Sequence, residues 1–212
     1  MAEYAVAAGS PLFEKYGKRC NARLLEDYGF CLEDNPYNVA EIRLQPIPAD
    51  HPFFEHAKQL GKNQWNRQVF HVKSACDDDA AKSMFSYLRL ACFDGAPHLL
   101  RQGIDLNQLP PISRQNEIAA LTTLGSACES RLQQFPTSVE EDDALLADGA
   151  LGCNLRNVIM IRRHEKIILK YFLGLAQTAL PLLQDPSRDI GKHAAGGRYA
   201  GYFADLVRSP AG

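Results

Sequence analysis

No stretch of this 212-residue sequence approaches the ~18 consecutive apolar residues of a membrane span. An excess of either charge is missing as well. The 23 Lys and Arg against 25 Asp and Glu give a formal net charge of -2, too weak a field to draw nucleic acid or an anionic membrane. Paired cysteines are absent: those at 20, 31, 76, 92, 128 and 153 include no CxxC, which argues against a disulfide framework or a zinc site. Reduced thiols point to an intracellular compartment, cytoplasm or nucleus, with the plastid left open. The start, Met-Ala-Glu-Tyr-Ala-Val-Ala-Ala, lacks the basic beginning and long apolar core of a signal peptide. His51 and His56 are five apart and so fall on different faces of a helix rather than around one metal. No Ser/His/Asp order, phosphate-cradling glycine loop, metal-ligand cluster or internal repeat is present.

What remains is ordinary globular material, 46% hydrophobic and 23% charged, so the organisation must be read from periodicity. After the Gly9-Ser10-Pro11 break, a strand ending at Tyr16 would set Leu12, Glu14 and Tyr16 on one face. Asn21 suits a helix N-cap, Leu24, Leu25 and Tyr28 share one side of a short helix, and Gly29 is placed to end it. Ala40, Ile42 and Leu44 alternate with Glu41 and Arg43 as in a strand with one buried face. At Pro46-Ile-Pro48 the pattern turns helical. Asp50 is expected to cap a helix that buries Phe53, Ala57 and Leu60. Asp77-Asp78-Asp79 could bind a metal, but carboxylates before an amphipathic run through Met84, Phe85 and Leu88 suit a helix N-terminus better. Ser113 opens a long helix, and Ser138 with Glu141 forms a capping box that makes Glu140–Asp143 a solvated first turn. The longest helix is expected from Leu155 to about Leu183, with Val158, Ile161, Ile168, Phe172 and Leu175 on or near one face. Its Glu165 and Lys166 are expected in surface pairs with Arg162 and Arg163. Residues 185–212, rich in Gly, Ala and Arg, read as a weakly ordered tail.

One block is more specific. Gly9-Ser-Pro-Leu-Phe-Glu-Lys-Tyr-Gly17, followed by Asn21, Leu24-Leu25 and Tyr28-Gly29-Phe30, resembles the C-terminal end of a SET domain. The remainder is similar to the helical substrate-binding domain of the Rubisco large-subunit lysine methyltransferase class. The resemblance rests on His51-Pro-Phe-Phe54, Tyr87-Leu-Arg89, Asn116-Glu117, Ser138-Val-Glu-Glu-Asp142 and Arg162-Arg-His-Glu-Lys166. It implies a mainly α protein: residues 1–47 as the β/α end of a SET fold, 48–184 as the helical domain, and 185–212 as the tail. It also implies roles. Tyr16 matches a catalytic-position tyrosine, whose phenol can orient an acceptor nitrogen and stabilise developing charge without competing as a nucleophile. Tyr28 matches a wall of the target-side-chain channel, Phe30 an aromatic near the cofactor adenine, and Asn21 a structural asparagine.

The implied cofactor is S-adenosylmethionine, and the implied partner is a protein substrate docked on the helical domain, with lysine or histidine as target. Two departures stand out. Ser10-Pro11 replaces the family's acidic residue after the glycine, and the upstream Gly-x-Gly and Asn-His segments that hold the donor do not occur in this sequence. The expectation is therefore the C-terminal part of a protein-lysine methyltransferase, binding donor weakly and inactive by itself. The alternative from another class is a non-catalytic interaction module built on the helical domain. The sequence says nothing of oligomeric state.

Overall fold

Alternation over 40–44 does make a strand. β1 (Ala40–Leu44) buries Ala40, Ile42 and Leu44 and leaves Arg43 exposed. Its antiparallel partner is β2 (Gln68–Val72), with Ala40 opposite Val72 and Ile42 opposite Phe70. These positions come from a computed structural model that describes residues 7–10, 16–60, 68–95, 104–209 and 211. The strand expected to end at Tyr16 lies, but for Tyr16 itself, outside the described residues. The β1–β2 pair straddles Pro46-Ile-Pro48, so residues before that change of character share a core with residues after it.

α1 (Asn21–Tyr28) ends at Gly29, which takes φ 81° as a left-handed C-cap. Its N-cap is Cys20, and Asn21 is its first helical residue. The side chain of Asn21 is engaged by the returning chain instead: Oδ1 accepts from the Leu32 N–H at 3.1 Å and from Asn35 Nδ2 at 2.9 Å, while Nδ2 donates to Leu32 O at 2.8 Å. A side-chain amide has the same donor and acceptor edges as a peptide unit, so Asn21 pairs with Leu32 much as a strand neighbour would.

α2 (Phe54–Leu60) buries Ala57 and Leu60 as expected, but its approach is held by His51, whose Nδ1 accepts from the Phe53 N–H at 3.2 Å, in place of an Asp50 cap. α3 (Asp79–Ala91) is capped by Asp78, which accepts from the Ala80 N–H at 2.9 Å. α4 (Arg114–Leu132) starts at Ser113, and α5 (Val139–Leu146) at the Ser138/Glu141 capping box. α6 (Cys153–Gln184) is the spine. It packs along α4, where Gly125 lets the helices approach until an added Cβ would stand 3.4 Å from that of Ala176. By length and composition α6 is apolar enough to cross a membrane, contrary to the reading of the sequence by consecutive apolar residues. Half of its most apolar window is buried within the fold, as in a core helix.

Burial corrects four expectations. Val158 is exposed, because at the start of α6 its neighbours Asn157 and Ile159 take the inward positions. Asp142 is not part of a solvated turn: it is fully buried beneath Arg162 and Lys166 of α6. Lys166 is likewise buried rather than paired on the surface, and Glu165 pairs with Arg131 of α4. Finally, the described residues beyond 185 include two helices in place of a weakly ordered tail. α7 (Gly191–Ala194) and α8 (Ala200–Arg208) fold back, burying Tyr202, Phe203 and Leu206. Three apolar residues at helical spacing supply that docking, and Gly174 makes room for it. The Tyr199 hydroxyl, which donates to Tyr171 O at 3.1 Å, lies only 2.5 Å from where a Cβ on Gly174 would be.

Candidate functional site

Two left-handed glycines, Gly17 (φ 80°) and Gly29 (φ 81°), turn the chain at the two ends of α1. Both face open space, so the backbone angle and not crowding calls for glycine. The turns gather Tyr16, Tyr28 and Phe30. Tyr16 meets Tyr28 edge-on with centroids 4.7 Å apart and Phe30 at 5.3 Å; Tyr28 and Phe30 are 6.4 Å apart. The three residues singled out from the sequence therefore form one cluster. Tyr16 is 44% and Tyr28 46% exposed, and neither phenol hydroxyl has a hydrogen-bond partner among the described residues. Arg19 sits 5.7 Å from the Tyr28 ring, but its guanidinium is engaged by Asp27 at 2.5 Å and by Tyr16 O at 3.1 Å. Electron-rich ring faces with free phenols suit a cationic or amine-bearing side chain.

Residues of α6 that periodicity could not single out hold the cluster in place. Asn157, 4% exposed, donates from Nδ2 to Gly29 O at 3.5 Å and accepts at its backbone oxygen from the Cys31 thiol at 3.7 Å. Arg156 pairs with Glu33 at 2.5 Å. A buried asparagine one turn into a helix leaves no signal in a sequence beyond its polarity on an inward face.

Two ionic nodes lie elsewhere. Arg89 makes a bidentate pair with Glu117 (2.8 Å each) and donates to Leu109 O at 2.6 Å, while the Tyr202 hydroxyl donates to Glu117 Oε1 at 2.6 Å. Burial, reinforced by the Glu117 charge, pushes the Tyr202 phenol well above its usual range. In the second node Asp142 takes Arg162 at 2.6 Å and Lys166 at 2.6 Å and accepts from Thr137 Oγ1 at 2.7 Å. Lys166 also donates to the carbonyls of Thr137 (2.7 Å) and Ser138 (2.6 Å). Burial alone would raise the Asp142 carboxyl, but the hydrogen bonds from Arg162, Lys166 and Thr137 outweigh it and hold it low. With their partners supplied internally, both nodes read as structural.

Among the described residues no group of three or more His, Cys, Asp or Glu could hold a metal. Among the described residues, those around Phe30 do not by themselves fit S-adenosylmethionine. They offer one half-buried ring face, and the neighbouring guanidinium of Arg19 is already committed.

A mainly helical domain with a two-stranded pair, fronted by an aromatic strip, is the class of protein this fold defines. Residues 48–169 match the Rubisco LSMT substrate-binding family, and the chain belongs to it. Among relatives, it is 30% identical over 171 residues to the [fructose-bisphosphate aldolase]-lysine N-methyltransferase, chloroplastic, of Arabidopsis thaliana, covering 78% of this chain and 35% of that protein. It is 27% identical to the chloroplastic ribulose-1,5 bisphosphate carboxylase/oxygenase large subunit N-methyltransferase of Nicotiana tabacum (77% and 34%). To the human actin-histidine N-methyltransferase it is 25% identical (77% and 29%). The chain thus spans about a third of the length of these relatives. Rubisco LSMT bound to sinefungin and monomethyllysine shares the fold, with TM-score 0.65 at 23% identity over 95% of this chain and 50% of that one.

Proposed function

We propose that this chain is the acceptor-holding part of a SET-class protein N-methyltransferase. The helical domain docks a protein substrate, and the aromatic strip walls the channel for its target side chain. The observation that carries the reading is the convergence of Tyr16, Tyr28 and Phe30 into one half-exposed cluster in a member of this family. In this reading Tyr16 orients the acceptor nitrogen, Tyr28 lines the channel and Phe30 borders the adenine of S-adenosylmethionine. A free phenol beside two ring faces can accept from a neutral amine, and later steady positive charge on it, without attacking the donor. The domain division at about residue 47, with the strip as the end of a SET fold, belongs to the same proposal. The remaining contacts to the donor come from the two-thirds of the relatives' length that this chain does not span.

The lack of a self-sufficient donor site around Phe30 favours a second reading: docking alone, with no transfer. Two measurements on the 212-residue chain separate the possibilities. Immobilised chain is challenged with purified chloroplast fructose-bisphosphate aldolase, Rubisco and actin, and retention of at least one is expected; retention of none overturns acceptor docking. Calorimetry with S-adenosylmethionine is expected to show weak binding or none. Tight one-to-one binding would overturn the division between acceptor and donor parts. Tyrosine resonances of Tyr16 and Tyr28 that shift on adding a lysine-bearing acceptor peptide support the channel over docking alone.

A further inference from the structure

Two depressions meet along one flank of α6. One, of about 490 Å³, is bounded by α1, the outer face of the strand pair and α6; the other, of about 350 Å³, continues past Pro36 and Lys73. Asn38 and His164 line both. The charges in the larger depression are already paired: Arg23 with Glu26 at 2.6 Å, Arg131 with Glu165 at 2.8 Å, and Glu41 with Arg43 of its own strand. Neither a phosphate nor a free cation finds an uncommitted counter-charge in those pairs. The unspent bonding capacity is neutral.

Asn38 is nine-tenths buried, at 9% exposure, and its Oδ1 accepts from the Asn21 N–H at 2.9 Å. That bond fixes which way the amide faces, because an N–H cannot be met by Nδ2. Nδ2 is left buried with no partner among the described residues, on a side chain that lines both depressions. A buried donor left in that state is costly, so an acceptor that reaches it is favoured over none. His164 Nδ1 lies 2.8 Å from Met160 O; a carbonyl only accepts, so Nδ1 carries a proton and Nε2 is the ring nitrogen left to accept. An amide donor and a ring acceptor lining one cleft match a single residue of extended chain, whose own C=O accepts and whose own N–H donates towards the same side. The flank runs from Ile161 to Ile168. At 1.5 Å per residue that is about 10 Å, the length of about three residues of extended chain.

We propose that this cleft binds an extended main-chain segment of the protein substrate, with one peptide C=O on Asn38 Nδ2 and one peptide N–H on His164 Nε2. The proposal rests on the acceptor-docking reading above and adds where, and by which chemistry, the acceptor is held. Arg23 and Glu26 stand about 140° and 200° around α1 from Tyr28, so the cleft and the aromatic cluster lie on different faces of that helix and can be disturbed separately.

The test uses the acceptor protein retained by the immobilised chain, and acetylated, amidated 15-residue peptides tiling it. Asn38→Asp keeps the oxygen that serves Asn21 but turns the free donor into an acceptor. His164→Phe removes the ring acceptor from a partly exposed helical position. Each is expected to weaken the acceptor about tenfold with an unchanged melting temperature for His164→Phe. In the binding peptide, replacing one amide by an ester is expected to weaken wild type about tenfold and His164→Phe hardly at all. Binding by both variants within twofold of wild type overturns the cleft while acceptor docking stands. Retention of the whole acceptor with no peptide bound overturns recognition of an extended segment. Failure of wild type to retain any acceptor overturns the docking reading, and the cleft proposal with it.

Discussion

Tyr16 and Tyr28 leave nearly half of their surface in solvent, whereas Glu117 and Asp142 leave none. Both regions are polar or aromatic clusters singled out by residue type, yet their bonding is opposite. In each ionic node the carboxylate is enclosed by partners from two other segments of chain, so its worth is to the fold. In the aromatic strip the phenol hydroxyls are unspent among the described residues, and the glycines that bring them together are chosen for conformation. A cluster whose capacity is exhausted internally holds structure; one whose capacity is open can meet another molecule.

The largest test of that contrast is Asp142→Leu. It leaves Lys166 and Arg162 facing a closed site without a counter-charge, and removing one partner of such a buried set costs roughly 3–5 kcal/mol. Urea unfolding reads the loss directly. The pH dependence has a definite sign. The folded carboxyl is held below its unfolded value of about 3.9, so its contribution is fully present above that pH and is lost as pH falls through the folded value. The gap between wild type and Asp142→Leu should therefore narrow below about pH 4 and stay level from pH 5 to 8.

Next is Tyr202→Phe, which removes one hydrogen bond to a charged, buried partner at the cost of about 1.5–3 kcal/mol. Amide exchange should accelerate in α8 before α4, since Tyr202 is what joins α8 to Glu117. Smallest is Tyr16→Phe. With its ring contacts kept and no hydroxyl bond to lose, stability should change by less than about 0.5 kcal/mol. A loss as large as that of Tyr202→Phe would show that Tyr16 belongs with the structural nodes and would remove the basis for its proposed role.

Local rules carried a good part of this fold into the sequence. Helix starts at Asp78, Ser113 and Ser138 were legible because a cap and its N–H partners lie within three residues. The inward faces of β1 and α3 were legible from periods of two and 3.6 residues. The aromatic trio was found by motif, and two glycines flanking an eight-residue helix bring it together locally. Asn21 shows where local logic stops. Its residue type suits a cap, but the partner that wins is Leu32, eleven residues on.

By itself the sequence determined most of the element types up to residue 184, the caps at Asp78, Ser113 and Ser138, and the membership in a family whose motifs are continuous in the chain. Tertiary structure decided which charges are buried, that α8 closes on Glu117 from 85 positions away, and that α6 reaches back 126 residues from Asn157 to brace the strip at Cys31. The reason is range. Capping and periodicity act within a turn or two of backbone, whereas the burial of a charge depends on which distant segment brings its counter-charge, and local spacing does not record that.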